Sequence, residues 1–133
     1  MARAMEFTLK TEKQGVYNIT RTVTDAIKEG GVESGIALLY CPHTTAAITF
    51  NENTDDNVGV DLLESLARTF PESDNYKHSE GNSYAHIRSS VIGCSNVIII
   101  EDGWPLLGIW QNIYFVEFDG PRERKYYLKL IEC

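Results

Sequence analysis

Residues 35–57, GIALLYCPHTTAAITFNENTDDN, hold two apolar runs around a polar joint, and the pairing of those runs decides the fold. GIALLYC (35–41) is a continuous apolar stretch bounded by Gly35 and Pro42, the pattern of a strand buried on both faces. AAITFNE (46–52) reads as its neighbour in one sheet. His43, Thr44 and Thr45 stand between the two, and Asn51, Glu52, Asn53, Asp55 and Asp56 follow the second. A loop needs polarity but not this variety, so the joint marks a candidate site.

Outward from this segment, MEFTLKT (5–11) alternates apolar and polar residues, and Gly15 before VYNI points to an opening hairpin. Val23, Ala26 and Ile27 recur at helical spacing ahead of Gly30 and Gly31, which predicts a helix over 20–29. Val58, Leu62, Leu63, Leu66 and Phe70 predict a second helix, with Asp55 or Asp56 as its cap and Pro71 beyond its end. The polar stretch 72–84 reads as a loop long enough to be a lid. NVIII, LLGIW, IYFVEF and YYLKLIE read as four strands, Trp110 as core and Cys94 as a small buried residue. The expected architecture is one α+β domain over 1–133 with two main helices and about seven strands. Met5 is an alternative start, which makes 1–4 a candidate disordered tail.

The chain has 133 residues, 43% hydrophobic and 23% charged, a balance that supports a packed core. Its net charge of -7 argues against a nucleic-acid partner, since no broad basic face can balance a run of phosphates. A small anion is a different matter, because a local cluster of donors acts over short range. Cys41, Cys94 and Cys133 form no CxxC pair and read as free thiols of a reducing compartment. No apolar run approaches the roughly 20 residues a bilayer crossing needs, and the N-terminus lacks a signal-peptide core. A cytoplasmic protein without a membrane partner is the expectation.

His43, His78 and His86 are the only histidines, and each lies beside polar loop sequence. Three neutral imidazoles are enough to hold zinc with a position left open, and Glu52, Asp55 or Asp56 could orient a ring; three separate surface histidines explain the same letters. Arg88 and Ser89, just after His86, could gather at a phosphate if a helix begins near residue 84, or could belong to an ordinary amphipathic turn. GPRERK offers Arg122, Arg124 and Lys125 as an anion clamp or a charged hairpin tip. Gln111 and Glu117 interrupt apolar sequence and need polar partners if buried.

HTTAAITFNENTDD, YKHSEG, AHIRSSVIG and LLGIWQNIYFVEFDGPRERK together resemble the YjbQ family, whose members include secondary thiamine-phosphate synthases. The resemblance covers nearly the whole chain. It implies strands arranged as a sandwich, a homotrimer with pockets near subunit contacts, and a divalent metal, expected to be zinc, at His43, His78 and His86. It also implies a reaction joining a pyrimidine diphosphate to a thiazole phosphate with release of pyrophosphate. Catalysis would then rest on Glu52, Asp55 and His86, and substrate binding on Asn51, Asn53, Arg88, Ser89, Gln111, Arg122 and Arg124. Magnesium arriving with the substrate would offset the departing charge. A metal-dependent phosphate or ester hydrolase and a non-catalytic binder of a small ligand or metal are the alternatives.

Overall fold

The computed structural model describes residues 3–133. Eight strands and three helices follow in the order β1 (Met5–Thr11), β2 (Gly15–Asn18), α1 (Thr20–Gly30), β3 (Ser34–Tyr40), β4 (Ala46–Glu52), α2 (Asp56–Thr69), α3 (Ser83–Ile92), β5 (Ser95–Glu101), β6 (Trp104–Pro105), β7 (Gln111–Glu117) and β8 (Arg122–Glu132). The α+β class holds, but three helices and eight strands replace the expected two and seven. Of the expected tail, residues 1 and 2 lie outside the described residues, and residues 3 and 4 lead into β1.

The two apolar runs of 35–57 do not pair with each other. β3 lies between β5 and β8 in a five-stranded sheet ordered β1-β8-β3-β5-β6, whereas β4 pairs with β7 in a three-stranded sheet ordered β2-β7-β4. The polar joint therefore crosses between sheets. The same division corrects the expected opening hairpin: β1 pairs with β8 and β2 with β7, so the short turn between β1 and β2 also changes sheets.

The expected sandwich is likewise replaced by sheets curled as a half-barrel. Ile48, Ile113 and Phe115 of the smaller sheet share one core with Ala37, Leu39, Ile98, Ile100 and Leu128 of the larger and with Val23, Ala26 and Ile27 of α1. α1 packs on that shared core and touches β6 and β8 of the larger sheet and β7 of the smaller. The smaller sheet's other face, Ala47, Val116 and Phe118, is covered by Leu66 of α2 and Ala85 of α3. β4 is thus apolar on both sides, while β3 buries Gly35, Ala37 and Leu39 and leaves Tyr40 exposed on the face it shares with Ile36 and Leu38. Double-sided burial belongs to the second run, not the first.

The helices end where their sequences direct. Asp55 caps α2 by accepting a hydrogen bond from the Asn57 backbone N–H at 2.9 Å, which settles the cap in its favour over Asp56. Gly31 at φ 71° closes α1 in the left-handed conformation that glycine adopts without strain. α3 forms from the end of the supposed loop and the AHIRSSVIG block. LLGIW is not a strand: the backbone turns after Pro105, and Trp110 stands 58% exposed rather than in the core. Cys94 is also exposed, in contrast to buried Cys41, and all three cysteines are free thiols. No helix among the described residues is long and apolar enough to cross a membrane.

Candidate functional site

Where the chain crosses from β3 to β4, the loop 42–45 meets the start of α3 and the start of β8. Together they line a polar hollow of about 300 Å³ walled by Pro42, His43, Thr44, Thr45, Glu80, Asn82, His86, Arg122 and Arg124. Strand periodicity sets Arg122 and Arg124 on one face of β8, in line with buried Tyr126, while Lys125 turns the other way toward Glu6. Helix periodicity sets Asn82 and His86 one turn apart on one side of α3.

A buried ion pair forms the floor. Arg124 is 4% exposed and Glu117 fully buried, and the two are joined through both carboxylate oxygens. Thr11 donates its hydroxyl hydrogen to Glu117 Oε1 at 2.7 Å, and the Asp119 backbone N–H donates to Oε2 at 2.9 Å. Burial pushes the Glu117 carboxyl up, but Arg124, Thr11 and the Asp119 backbone outweigh it, so the group stays ionised below the usual carboxylate range. Arg124 Nη2 also donates to Thr45 Oγ1 at 2.8 Å, so Nε and Nη2 are spent on the floor. Nη1 makes no hydrogen bond among the described residues. Gly120 closes over the pair because a Cβ there would stand 2.9 Å from Glu117 Cγ and 3.1 Å from Thr11 Oγ1.

Arg122 is held comparably at the rim, with Nε donating to Asp119 O at 2.7 Å and Nη2 to Asp119 Oδ2 at 2.9 Å. Burial raises the Asp119 carboxyl, yet hydrogen bonds from Asn82 and Arg122 bring it below its ordinary value. His43 Nε2 accepts the Lys125 backbone N–H at 2.8 Å, which requires the neutral ring with its proton on Nδ1. Burial, with Arg124 adding to it, lowers the His43 pKa.

The expected zinc site does not form. His78 meets His86 edge to face with ring centroids 5.3 Å apart and turns Nε2 toward Glu80 at 3.7 Å, while His43 is committed to β8. No group of three or more His, Cys, Asp or Glu among the described residues could hold a metal ion, which removes the expected zinc triad and offers magnesium no such cluster. The histidines occupy one neighbourhood without converging on one point.

Glu52, Asp55, Asn51 and Asn53 line a different cleft, about 360 Å³, at the far end of β4 between its last residues and the start of α2, with Val16, Val58 and Leu62 as its apolar wall. Seven residues of strand separate the two openings by roughly 20 Å. Arg88 is buried and faces α2: Nε and Nη2 donate to Phe70 O at 3.1 and 2.8 Å, and Nη1 donates to Gln14 Oε1 at 3.2 Å. Ser89 donates to Ala46 O at 2.6 Å, and Gln111 Oε1 accepts from Gly108 N in a turn. Of the residues singled out in the sequence, His43, His86, Arg122 and Arg124 share the hollow. Asn82, Thr44 and Thr45 complete it. Asn82 carried no signal in the sequence, since an asparagine beside glycine in a polar stretch reads as a turn.

These features define a small α+β protein with a preformed, donor-rich hollow at a sheet crossover. The chain belongs to the YjbQ family: the family model described as UPF0047 protein YjbQ-like matches residues 5–133. It is 51% identical to the UPF0047 protein MJ1081 of Methanocaldococcus jannaschii over 95% of this chain and 92% of that one, and 48% identical to YugU of Bacillus subtilis over 91% and 92%. A crystal structure of a yjbq/upf0047 family protein from Clostridium acetobutylicum superposes with a TM-score of 0.94 at 52% identity, covering 96% of this chain and 99% of that one. A hypothetical protein from Aeropyrum pernix gives 0.94 at 35% identity, covering 99% and 100%.

Proposed function

We propose that the chain binds a small phosphorylated metabolite in the hollow beneath the 42–45 loop. The observation that supports this most is the pair of guanidiniums on one face of β8, each fixed by a carboxylate behind it. A guanidinium tethered in this way loses little side-chain entropy on meeting an oxyanion, so binding depends on directed hydrogen bonds rather than on net charge. That suits a chain with a net charge of -7. The expected formation of thiamine phosphate draws on Glu52 and Asp55 together with the basic groups of the hollow, and within one chain these line separate openings at opposite ends of β4. Ligand binding is therefore the better-supported reading.

Calorimetric titration with inorganic phosphate tests it. Arg122 is half exposed, so Arg122→Ala leaves the fold intact and is expected to weaken phosphate binding about tenfold, the loss of one charge-assisted hydrogen bond. No binding by the wild-type chain, or unchanged affinity in the variant, overturns the reading.

We also propose that copies of the chain associate as a trimer through the outer face of the five-stranded sheet. Ile36 pairs in register with Ile99 and Ile131, and Leu38 with Val97, which sets them side by side on that face. Val97, Ile99 and Ile131 are 55%, 50% and 42% exposed, an apolar surface of the kind that marks a protein contact. Ile99→Lys is expected to shift the mass in sedimentation equilibrium from trimer to monomer; a wild-type monomer ends the proposal.

A further inference from the structure

The hollow has an apolar neighbour that the phosphate reading leaves unused. A recess of about 340 Å³ lies beside it, lined by Tyr76, His78, Ser83, His86 and Ile87. His86 lines both openings, so the two meet across one side chain. Helix periodicity accounts for this. Asn82 and His86 form one stripe at the start of α3, Ser83 and Ile87 form the next, and the second stripe lines the recess.

The two walls differ in chemistry. Arginines and threonine hydroxyls surround the hollow, whereas three rings and an isoleucine dominate the recess. The Tyr76 hydroxyl donates to Pro71 O at 2.6 Å, so its hydrogen is spent and the ring is what remains for the recess. The His78 and His86 rings meet at 87° with centroids 5.3 Å apart, which makes a corner of one ring face and one ring edge. His86 is bonded only through its backbone, to Asn82 O and Ser90 Oγ, and its ring nitrogens make no hydrogen bond among the described residues.

Inorganic phosphate occupies the hollow and leaves the recess to water. Both openings are at the small end of ligand pockets, which run from about 300 to 1,000 Å³, so a molecule larger than phosphate has room when it spans the two. A polyol placed in the recess gives up hydrogen bonds to water for walls that return few. An apolar group placed there is removed from water and packs on ring faces and edges, and both effects are favourable.

We infer that hollow and recess are two halves of one site for the phosphate monoester of a compact apolar alcohol. The phosphate lies among Arg122 and Arg124, the apolar group lies against Tyr76, His78 and Ile87, and the ester oxygen passes His86. The inference rests on the phosphate-binding reading and adds the class of alcohol.

The experiment titrates the whole chain calorimetrically at pH 7.5 with inorganic phosphate, methyl phosphate, glycerol phosphate and phenyl phosphate. Above a second pKa of about 6 the three esters carry nearly the same charge, so differences among them report the organic group. Phenyl phosphate is expected to bind about tenfold tighter than methyl phosphate, the gain from taking part of one ring out of water, and glycerol phosphate to stay within about twofold of methyl phosphate. Arg122→Ala should weaken phenyl phosphate by the same factor as inorganic phosphate, which seats both in one hollow. Ile87 is half-buried and belongs to neither core cluster, so Ile87→Gln makes the recess polar while keeping a good helix former in α3. In that variant the advantage of phenyl over methyl phosphate should fall to within about twofold. Equal binding of phenyl and methyl phosphate by the wild-type chain, or an equal gain for glycerol phosphate, overturns the inference and leaves the anion site standing. So does a phenyl advantage that survives Ile87→Gln, or a phenyl phosphate affinity that Arg122→Ala leaves unchanged while inorganic phosphate weakens. Binding of none of the four ligands overturns the phosphate reading as well, and because the wild-type comparison needs no variant, a poorly folded Ile87→Gln does not protect the idea.

Discussion

The two ends of β4 present similar letters to solvent but are built differently. At the Ala46 end, the polar groups are tied into one network that runs from Thr11 through Glu117 and Arg124 to Thr45 and brings together three distant parts of the chain. At the Glu52 end, the bonds are mainly short-range: Asn51 Oδ1 accepts from the next backbone N–H, Asp55 from Asn57, and Asn53 reaches only to Asn112 on the paired strand. A polar cluster tied across the fold is pre-organised for a ligand. One that satisfies its own turn is explained by the turn. The variety in HTTAAITFNENTDDN thus has two causes.

The comparison breaks most readily at Glu117. If the network at the Ala46 end is what holds the hollow, Glu117→Gln leaves a buried guanidinium without its counter-charge, and the expected loss is about 3 kcal/mol or more in urea unfolding. A loss under about 1 kcal/mol would mean that Arg124 is solvated through the hollow and that the floor is no more integral than the exposed cleft.

Asp55→Ala is the matching change at the other end. It removes one cap from α2 and is expected to cost about 1 kcal/mol, with phosphate affinity unchanged. Altered phosphate binding in this variant would join the two ends into one functional unit and undo the distinction.

The distinction was only partly legible in the sequence. Helical spacing located α1 and α2 because each buries one stripe, and Glu117 announced itself as a polar residue that would need a partner. Sheet membership was not legible. β3 and β4 are both apolar runs flanking a short loop, and nothing in either shows that one pairs with β8 and the other with β7, since pairing depends on partners about 60 to 97 residues away. Arg88 and Ser89 looked like ligand-binding groups because charge and hydroxyls normally lie at the surface. Here Arg88 bonds the carbonyl of Phe70 at the end of α2, and Ser89 bonds the backbone of Ala46. Trp110 misled in the opposite direction, since its bulk promised burial and its turn denied it. His43, Arg122 and Arg124 were visible as candidates, but their union required the chain to cross between sheets at residues 42–45.

The smallest expected effect is a slope, and it tests whether that crossover is fastened by His43. Its Nε2 accepts the Lys125 backbone N–H, so protonation of the ring breaks the bond between the loop and β8. Burial and Arg124 lower its folded pKa, whereas in the unfolded chain the ring titrates near the ordinary value of about 6.5. The unfolded state therefore takes up the proton first as pH falls. The stabilisation is complete above that value and is lost as pH descends through it toward the folded pKa. Glu117 and Asp119, both lowered carboxylates, lose their contributions only in the acid range below about 4.5 and leave this window clear. Melting temperature should fall between pH 7.5 and 5.5 in the wild-type chain, and the fall should be smaller in His43→Gln, whose amide oxygen accepts the same N–H without titrating. A wild-type profile flat across that window, or one that His43→Gln leaves equally steep, would detach His43 from the stability of the crossover and leave its fastening to the buried pair beneath it and to the Phe118 N–H on Thr45 O.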